Sequence, residues 1–303
     1  MDSERIILGS RGSDLALAQA RLAEAALRRA WPGLEVAVEI IRTSGDEGGR
    51  PGATADRKAG RKGLFTGEIE KALVVRQIDL AVHSAKDLPS ERRDELEIRA
   101  ALPRASTADV LITKSGLGLT NLPEGATIAT GSVRRRRQLT WKRPDLRIED
   151  LRGNVPTRLR KLRENENWSG IILARAGLDR LGLAVEGEIL SQDDFVPAGG
   201  QGVIALQVRR DDERAKRLVD AIDHRETHLC LRAEREFLRR LNCDCNCPVG
   251  VHAEMEKDEM LLQAQIFEEG AGEPRAGKMR SNVSDMGPER LAEALFFSIY
   301  EQG

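Results

Sequence analysis

The alternation of short apolar runs with amphipathic segments over the first two thirds of the chain constrains the fold more than any other feature. Strand-like runs occur at residues 5–9, 34–42, 79–82, 96–101, 109–113, 127–130, 170–173 and 203–208, and near Leu146. Helical patterns lie between many of these runs, for example from Ser132 and from Pro156. Strands that alternate with helices are typical of α/β domains with largely parallel sheets. We therefore predict α/β domains here.

The N-terminal segments also predict which side chains are buried. Ser13 is a suitable N-cap for a helix that Pro32 and Gly33 would end. The apolar face predicted for this helix consists of Leu15, Ala18, Leu22 and Ala25. The next run, residues 34–42, alternates apolar and acidic side chains, which predicts a half-buried strand. Its inner face would carry Val36, Val38 and Ile40.

The pattern changes after about Asp220. A long helix at 226–241 leads into a cysteine-rich segment, and antiparallel-looking strands and a final helix at 288–300 follow. This order indicates a separate α+β domain. Residues 44–63 are rich in glycine and charge and have no apolar periodicity, which predicts a long loop. Residues 198–202 (AGGQG) predict a hinge or a ligand-binding loop.

The charge of the chain is balanced overall but uneven along its length. The formal net charge is −1, and aromatic residues make up 3% of the chain, so a general nucleic-acid binder is not expected. Residues 131–163, however, hold twelve lysines and arginines against three acids, a local balance of +9. Such an asymmetry predicts a small anionic partner.

Residues 82–89 (VHSAKDLP) place polar groups directly after a buried strand. Ligands of open α/β sheets bind beyond the carboxyl ends of the strands. Asp87 could there stabilise a developing cation or move a proton, and Lys86 would help to keep Asp87 ionised. The alternative is a surface turn with a Lys–Asp pair, which the spacing alone does not exclude.

Three strand-to-helix turns carry arginine beside glycine, at residues 10–13, 130–137 and 151–158. In the second turn, helix N-terminal N–H groups and the hydroxyls of Thr130 and Ser132 suit an anion, and guanidinium forks suit carboxylates. One or two of its four consecutive arginines would face the cleft and the others solvent, because helical neighbours are about 100° apart. Three such turns facing one cleft would bind several carboxylates. The alternative is a solvated basic surface.

Three of the four cysteines, Cys243, Cys245 and Cys247, alternate with Asn and Asp just before a proline. A disulfide between residues two apart closes a small, strained ring, so we expect none among them. Zinc could bind these thiolates and His252, but ligands at every second residue crowd one edge of a tetrahedron, and we expect no metal. A single reactive thiolate, or thiols that only pack, would also account for the segment.

The order of these motifs resembles the porphobilinogen deaminase (hydroxymethylbilane synthase) family over essentially the whole chain. The matching segments are residues 10–19 (SRGSDLALAQ), 62–65 (KGLF), 82–89 (VHSAKDLP), 130–139 (TGSVRRRRQL), 150–159 (DLRGNVPTRL), 172–182 (ILARAGLDRLG), 197–202 (PAGGQG) and 245–250 (CNCPVG). The resemblance implies two α/β domains like the lobes of a periplasmic solute-binding protein and a small C-terminal α+β domain. The implied boundaries are 1–102 with 197–220, then 103–196, then 221–303.

The resemblance implies a transferase of porphyrin and heme biosynthesis. Members join four porphobilinogen molecules head to tail, lose ammonia at each step, and release hydroxymethylbilane by hydrolysis. A dipyrromethane cofactor primes the chain through a thioether to a cysteine that corresponds to Cys245. Carboxylates on every pyrrole would account for the +9 segment. Asp87 would stabilise the azafulvenium-like cation left by ammonia loss.

The family's functional residues can be carried over position by position. Its catalytic aspartate, which also contacts the cofactor, falls on Asp87. Its other cofactor- and substrate-binding residues fall on Arg11, Ser13, Lys86, Thr130, Ser132, Arg134, Arg135, Arg152, Arg158 and Gln201. Residues 44–63 would form a lid with Lys58 and Lys62 reaching inward. The chain departs from the family where Cys243 and Asp244 replace a common Gly-Gly pair, but no residue with a chemical role is lost.

Two rival hypotheses belong to other functional classes. One is a two-lobed binding protein that captures a dicarboxylate without catalysis, and the other is a zinc- or thiol-based regulator. The N-terminus lacks a signal-peptide pattern, which counts against the first rival, and no run of about 18 apolar residues indicates a membrane span. We expect a cytoplasmic monomer whose partner is porphobilinogen, without nucleic acid or membrane.

Overall fold

The computed structural model describes residues 5–42, 66–90, 93–242, 247–270 and 272–301. The chain divides into two compact units. Unit 1 comprises Met1–Ala105 and Gly202–Leu231, and unit 2 comprises Ser106–Gln201 and Arg232–Gly303. The division into three domains, with boundaries at 102, 196 and 220, stays a prediction.

The described elements agree with the predicted strands and helices to within about two residues at most ends. The strands are β1 (Arg5–Ser10), β2 (Glu35–Ile40), β3 (Leu80–Ser84), β4 (Leu96–Ala101), β5 (Asp109–Thr113), β6 (Thr127–Ala129), β7 (Arg147–Glu149), β8 (Gly170–Ala174), β9 (Glu188–Ile189), β10 (Ile204–Arg209), β11 (Val249–Glu256), β12 (Glu259–Ile266) and β13 (Arg275–Asn282). The helices are α1 (Asp14–Ala30), α2 (Gly67–Val74), α3 (Val133–Lys142), α4 (Val155–Glu164), α5 (Arg175–Arg180), α6 (Glu213–Asp220), α7 (Arg225–Arg240) and α8 (Pro288–Glu301), and short 3₁₀ turns occur at Ala85–Asp87 and Leu119–Asn121.

Unit 1 is built on a five-stranded sheet with the order β2-β1-β3-β10-β4. Strand β1 is parallel to β2 and β3, whereas β10 is antiparallel to both β3 and β4. The prediction of a largely parallel sheet is therefore wrong. The sequence pattern does not reveal that the chain returns after residue 201 to insert β10 in the opposite direction.

Helices cover both faces of this sheet. Leu27 of α1 and Leu218 of α6 belong to the apolar cluster around Leu8. On the other face, Ile69 and Leu73 of α2 pack in the cluster of Ala81. Each fully buried leucine or isoleucine contributes about 1.5–3 kcal/mol relative to an exposed one, so these clusters fix the strand edges that carry the polar turns.

Helix α1 begins as predicted, because the Ser13 hydroxyl accepts a hydrogen bond from the Ala16 N–H. Its predicted inner face is wrong. The buried side chains of this helix are Gln19, Ala20, Ala23 and Leu27. Leu22 is 48% exposed, and Ala25 is exposed as well. The helix contains apolar residues on more than one side, so periodicity alone did not select the face that meets β1 and β3.

Strand β2 forms an edge of the unit 1 sheet, and this position changes its predicted burial. Val36 is buried, but Val38 is 37% exposed and Ile40 is 54% exposed. The alternation did predict a strand, but it does not report how far the neighbouring elements cover the inner face.

Unit 2 contains a second five-stranded sheet with the order β7-β6-β8-β5-β9. Strand β6 is parallel to β7 and β8, and β5 is antiparallel to β8 and β9. Helices again cover both faces, with Leu139 of α3 on one side and Leu162 of α4 on the other. The predicted α/β class with two such sheet-and-helix regions is confirmed, although this sheet too is mixed rather than largely parallel.

The C-terminal part of unit 2 is the small α+β region that was predicted. Strands β11, β12 and β13 form an antiparallel sheet, and α8 packs on it. Gly277 of β13 permits this approach, because a Cβ atom there would lie 2.8 Å from the Ile299 side chain of α8. None of the helices in the described ranges combines the length and the apolar character that crossing a bilayer requires.

Gly250 lies inside strand β11 and packs directly against the chain at Val196. A Cβ atom at position 250 would lie 2.4 Å from the Val196 carbonyl oxygen, and the next residue, Val251, donates its N–H to Pro197 at 2.9 Å. Residues 248–250 (PVG) therefore lead into strand β11, which begins at Val249. The close backbone approach explains the glycine.

We predict that Gly250→Ala lowers the stability of unit 2 by about 1–3 kcal/mol, because the added methyl group must displace a backbone carbonyl. Thermal unfolding followed by circular dichroism would measure the effect as a Tm lowered by several degrees. Gly33→Ala is the matched control, since a Cβ atom there meets nothing within 4 Å. Equal Tm values for the two variants would contradict the packing argument.

Candidate functional site

Asp87 lies in a short 3₁₀ turn that follows strand β3. The turn is fixed by backbone hydrogen bonds, in which Ala85 N–H donates to the Val203 carbonyl at 3.0 Å and Leu88 N–H donates to the Ala85 carbonyl at 3.2 Å. Asp87 is half-buried and lines a cavity that is open to solvent. Lys86 is half-buried beside it in the turn.

The turn after β1 contributes further residues to the lining of the same cavity. Arg11 and Ser13 line it together with Asp87. These groups meet because β1 and β3 are parallel neighbours, so their carboxyl ends reach the same edge of the sheet. The cavity therefore combines a carboxylate, a guanidinium and a hydroxyl within unit 1.

Four polar residues of this cavity were not predicted as site residues, namely Gln19, Thr66, His83 and Ser84. The Gln19 side chain is buried on α1, and its Nε2 lies 2.8 Å from the Ser84 hydroxyl. His83 and Ser84 stand within the motif VHSAKDLP, so the motif was the available signal for both. Gln19 was missed because the wrong face of α1 was expected to be buried.

In unit 2, the buried side chain of Asp109 contacts three of the predicted residues. Its Oδ1 accepts hydrogen bonds from Arg135 Nη2 at 2.7 Å and from Gln201 Nε2 at 2.8 Å. Its Oδ2 forms an ion pair with Arg134 Nη2 at 2.8 Å. Asp109 itself was not predicted, since a single acid at the start of a strand carries no distinguishing pattern.

Arg134 and Arg135 are core side chains of α3, with exposed fractions of 4% and 6%. Two of the four consecutive arginines are thus buried, and Arg136 and Arg137 are half-buried. The prediction that one or two of them face a ligand cleft stays a prediction. Burial alone would raise the pKa of Asp109, but the charges of Arg134 and Arg135 outweigh it and hold that pKa well below its usual range.

Thr130 and Ser132 shape the start of α3. The Thr130 hydroxyl is buried and accepts from Ser132 N–H at 3.3 Å, and the Ser132 hydroxyl caps the helix by accepting from Arg135 N–H at 3.4 Å. Gly131 is required between them, because a Cβ atom would lie 2.5 Å from the Leu151 carbonyl oxygen. Both hydroxyls border the Gly turn, where the sequence predicted an anion site; their contact with a ligand stays a prediction.

Arg152 and Arg158 belong to the loop and helix that follow β7. Arg152 is 71% exposed and pairs with Asp150 at 3.0 Å. Arg158 donates through Nε to the Gly153 carbonyl at 2.7 Å, and Asn154 caps α4 by accepting from Thr157 N–H. Gly153 has a φ of 116°, which explains glycine at this turn. The predicted convergence of the three arginine turns on one cleft stays a prediction.

Glu234 is a further buried carboxylate that the sequence reasoning missed. It lies on α7 and accepts two backbone N–H bonds, from Gly200 at 2.6 Å and from Ala253 of β11 at 2.8 Å. It therefore joins the helix that precedes the cysteine segment to the strand that follows this segment. Through Gly200 it also holds the loop that carries Gln201.

The structure describes the cysteine segment only from Cys247 onward. Cys243 and Cys245 lie outside the described residues, as do residues 44–63 with Lys58 and Lys62. Cys247 is disulfide-bonded, and Cys230, the one cysteine outside the segment, is buried and takes no part in a disulfide. The expectation that the segment holds no disulfide is therefore wrong. The attachment role of Cys245 and the zinc alternative stay untested.

Comparisons with known proteins were made for the sequence and for the fold. Residues 6–217 match the family model described as "Porphobilinogen deaminase, dipyromethane cofactor binding domain", and residues 228–295 match "Porphobilinogen deaminase, C-terminal domain". The chain belongs to the porphobilinogen deaminase family. The family resemblance seen in the motifs is thereby confirmed.

Several relatives within the porphobilinogen deaminase family match nearly the full length of the chain. The porphobilinogen deaminase of Roseiflexus sp. (strain RS-1) is 45% identical over 306 residues, covering 99% of this chain and 97% of the relative. That of Thermus thermophilus is 40% identical over 300 residues, covering 98% and 96%. Among solved structures, the methionine-binding protein MetQ aligns with a TM-score of 0.47 and 16% identity, covering 75% of this chain and 93% of MetQ.

We predict that Asp109→Asn destabilises unit 2 by about 3–5 kcal/mol at neutral pH, because two buried guanidinium groups lose their shared anion. Asp150→Asn, which removes the same charge from an exposed pair, should cost at most about 1 kcal/mol. Thermal unfolding of both variants and the wild type would measure these differences. Equal Tm values for the two variants would refute the role assigned to Asp109.

The stability that Asp109 contributes to unit 2 depends on pH, and the sign of this dependence follows from the shift of its pKa. The folded-state pKa of Asp109 is lowered, so its contribution is complete above the unfolded pKa of about 4 and is lost as the pH falls below that value. The Tm gap between the wild type and Asp109→Asn should therefore narrow below about pH 4.

Proposed function

We propose that the chain is a hydroxymethylbilane synthase. This transferase condenses four porphobilinogen molecules head to tail on a covalently attached dipyrromethane, releases one ammonia per condensation, and frees hydroxymethylbilane by hydrolysis. The observation that carries the proposal is the Asp87 cavity with Arg11 and Ser13, which occurs in a chain of this family at the positions of the family's motifs.

The described residues suit a dipyrromethane chemically. The group is rich in carboxylates and pyrrole N–H groups, so it needs guanidinium donors and a carboxylate acceptor. In unit 2, two buried arginines share one aspartate, which leaves one positive charge in excess for an anionic ligand. In unit 1, Asp87 offers the acceptor and Arg11 a further cation. The bound dipyrromethane supplies the primer, with a thioether proposed at Cys245.

The predicted binding residues divide into those that would bind carboxylates and those that would form other hydrogen bonds. We assign carboxylate binding to Arg11, Lys86, Arg134, Arg135, Arg152 and Arg158, with Ser13, Thr130, Ser132 and Gln201 as hydrogen-bonding partners. Arg134, Arg135 and Gln201 would act from the Asp109 cluster, where their orientation is already fixed. A fixed donor loses little conformational entropy when it binds its ligand, which favours affinity.

Asp87 has the central catalytic role in this proposal. Ammonia loss from the substrate leaves a cation, and the attacking pyrrole also becomes positive. A carboxylate held at the edge of a partly enclosed cavity stabilises such charges more than water does. Asp87 would accept pyrrole N–H bonds and lower the energy of both cations without itself being consumed.

We further propose that the enzyme acts as a monomer in the cytoplasm, without nucleic acid. The balanced net charge and the scarcity of aromatic residues support the exclusion of nucleic acid. The rival hypotheses of a non-catalytic dicarboxylate receptor and of a zinc- or thiol-based regulator give different outcomes in the two experiments that follow.

The first experiment is the intact mass of the purified chain. We expect a covalent excess that equals two linked pyrroles in the wild type and its loss in Cys245→Ser. Cys243→Ser and Cys247→Ser, made separately, are the matched controls and should keep the added mass. An unmodified wild-type chain that still makes hydroxymethylbilane would sink the cofactor assignment, and one zinc per chain lost in Cys243→Ser would favour the regulator.

The second experiment measures turnover of porphobilinogen by Asp87→Asn. We expect the rate of ammonia release to fall by roughly 10²–10³, because the variant keeps the shape of the side chain but removes its negative charge. Asp211→Asn is the control, since Asp211 forms an exposed ion pair with Arg76. Near-normal turnover of a folded Asp87→Asn variant would refute the catalytic role.

A further inference from the structure

A chain of buried polar side chains leads from the surface of unit 1 to the Asp87 cavity. Arg93 Nε contacts Glu70 Oε2 at 3.0 Å, and Glu70 Oε1 accepts from Gln207 Nε2 at 3.0 Å. Gln207 Oε1 lies 3.0 Å from Nε2 of His83, a residue of the cavity wall. Glu70, Gln207 and His83 are all buried, so these hydrogen bonds are strong determinants of side-chain orientation.

The strand register explains why Gln207 meets His83. Strands β3 and β10 are antiparallel, with His83 opposite Ala205 and Ala81 opposite Gln207. His83 and Gln207 are therefore diagonal neighbours on one face of the sheet. Helix α2 packs on the face that carries Ala81, and this arrangement brings Glu70 onto the Gln207 amide.

The direction of each hydrogen bond follows from the carboxylate at the start of the chain. A carboxylate of Glu70 only accepts, so the Gln207 amide must turn its NH₂ group toward Glu70. Its carbonyl oxygen then faces His83, and this oxygen also only accepts. His83 must therefore carry a proton on Nε2, which fixes the orientation of the ring and, for a neutral imidazole, its tautomer.

The contact also bears on the charge of the ring. A carboxylate in direct contact with an imidazole favours the protonated form, but the direct partner of His83 Nε2 is a neutral amide. Glu70 stands one side chain farther away and is paired with Arg93. Among the residues that the structure describes, the charged groups that line the cavity are Arg11 and Asp87. With His83 only 5% exposed, burial adds to the cost of a charged ring.

We propose that Glu70 and Gln207 are positioning residues that hold His83 as a neutral, Nε2-protonated imidazole in the wall of the Asp87 cavity. The inference rests on the proposed function and deepens it. Asp87 stabilises cationic species in that role, and an imidazolium in the same wall would oppose them by like-charge repulsion. Gln207 thus separates the charge of Glu70 from the cavity while it transmits a fixed orientation.

The tautomer can be read directly by nitrogen NMR of the full-length protein labelled with ¹⁵N-histidine. The chain has four histidines, and the His83 signals would be assigned by their loss in His83→Gln. We expect a protonated Nε2 and an unprotonated Nδ1 that do not change between about pH 6 and pH 8. An Nδ1-protonated ring, or an imidazolium near neutral pH, would overturn the proposal whatever the enzyme's activity.

Two variants test the consequence for turnover. Gln207→Glu puts a carboxylate directly on His83, and the double variant Glu70→Gln with Gln207→Glu does so while it keeps the native net charge. In both we expect kcat near pH 7 to fall about tenfold and to recover as the pH is raised and the ring loses its proton, with KM changed less. If the single variant fails to fold, the double variant carries the test.

A double variant with wild-type kcat at every pH would refute the positioning role, because moving the carboxylate would then have no effect on the cavity. Failure of the proposed function is a separate result, since it would appear as a wild-type chain that forms no hydroxymethylbilane. The NMR measurement stands in either case. A purely structural role of Gln207 would lower the Tm without a pH-dependent loss of kcat.

Discussion

The ion cluster at Asp109 is the interaction on which the arrangement of unit 2 depends. One buried carboxylate holds two buried guanidinium groups, Arg134 and Arg135, and the amide of Gln201. Arg134 also donates to Gln138 at 2.9 Å, and Gln138 donates to Gln265 of β12 at 2.7 Å. The cluster thus connects β5 and α3 with the small C-terminal sheet. Because desolvated charges are costly unless fully paired, its partners cannot move independently.

The same cluster acts on the loop between Ala198 and Gly202 together with Glu234. The side-chain amide of Gln201 donates a hydrogen bond to Asp109, and the backbone N–H of the neighbouring residue Gly200 donates to Glu234. Two buried carboxylates on different elements therefore hold consecutive residues of one glycine-containing loop. Glu234 in addition fixes β11, which follows the cysteine segment. The loop is therefore hydrogen-bonded both to the aspartate that holds the buried arginines and to the helix that precedes the cysteine segment.

Much of the fold was predictable because it is encoded locally. Ser13, Ser132 and Asn154 each cap a helix where the sequence placed a helix start. What the sequence did not reveal depends on contacts between distant segments. The exposed Leu22 and the antiparallel insertion of β10 follow from how the elements pack, and periodicity does not report packing. The motifs supplied the candidate site residues, whereas Asp109 and Glu234, the buried acids that hold some of them, stand in no motif.

Buried side chains set different electrostatic conditions in the two units. In unit 2, two arginines share one aspartate, so the buried cluster around Asp109 keeps an excess of positive charge that suits carboxylates. In unit 1, the Gln207 amide separates Glu70 from His83, so the cavity of Asp87 gains orientation without gaining charge. A chain that must bind a growing polyanion and also stabilise cations needs both conditions.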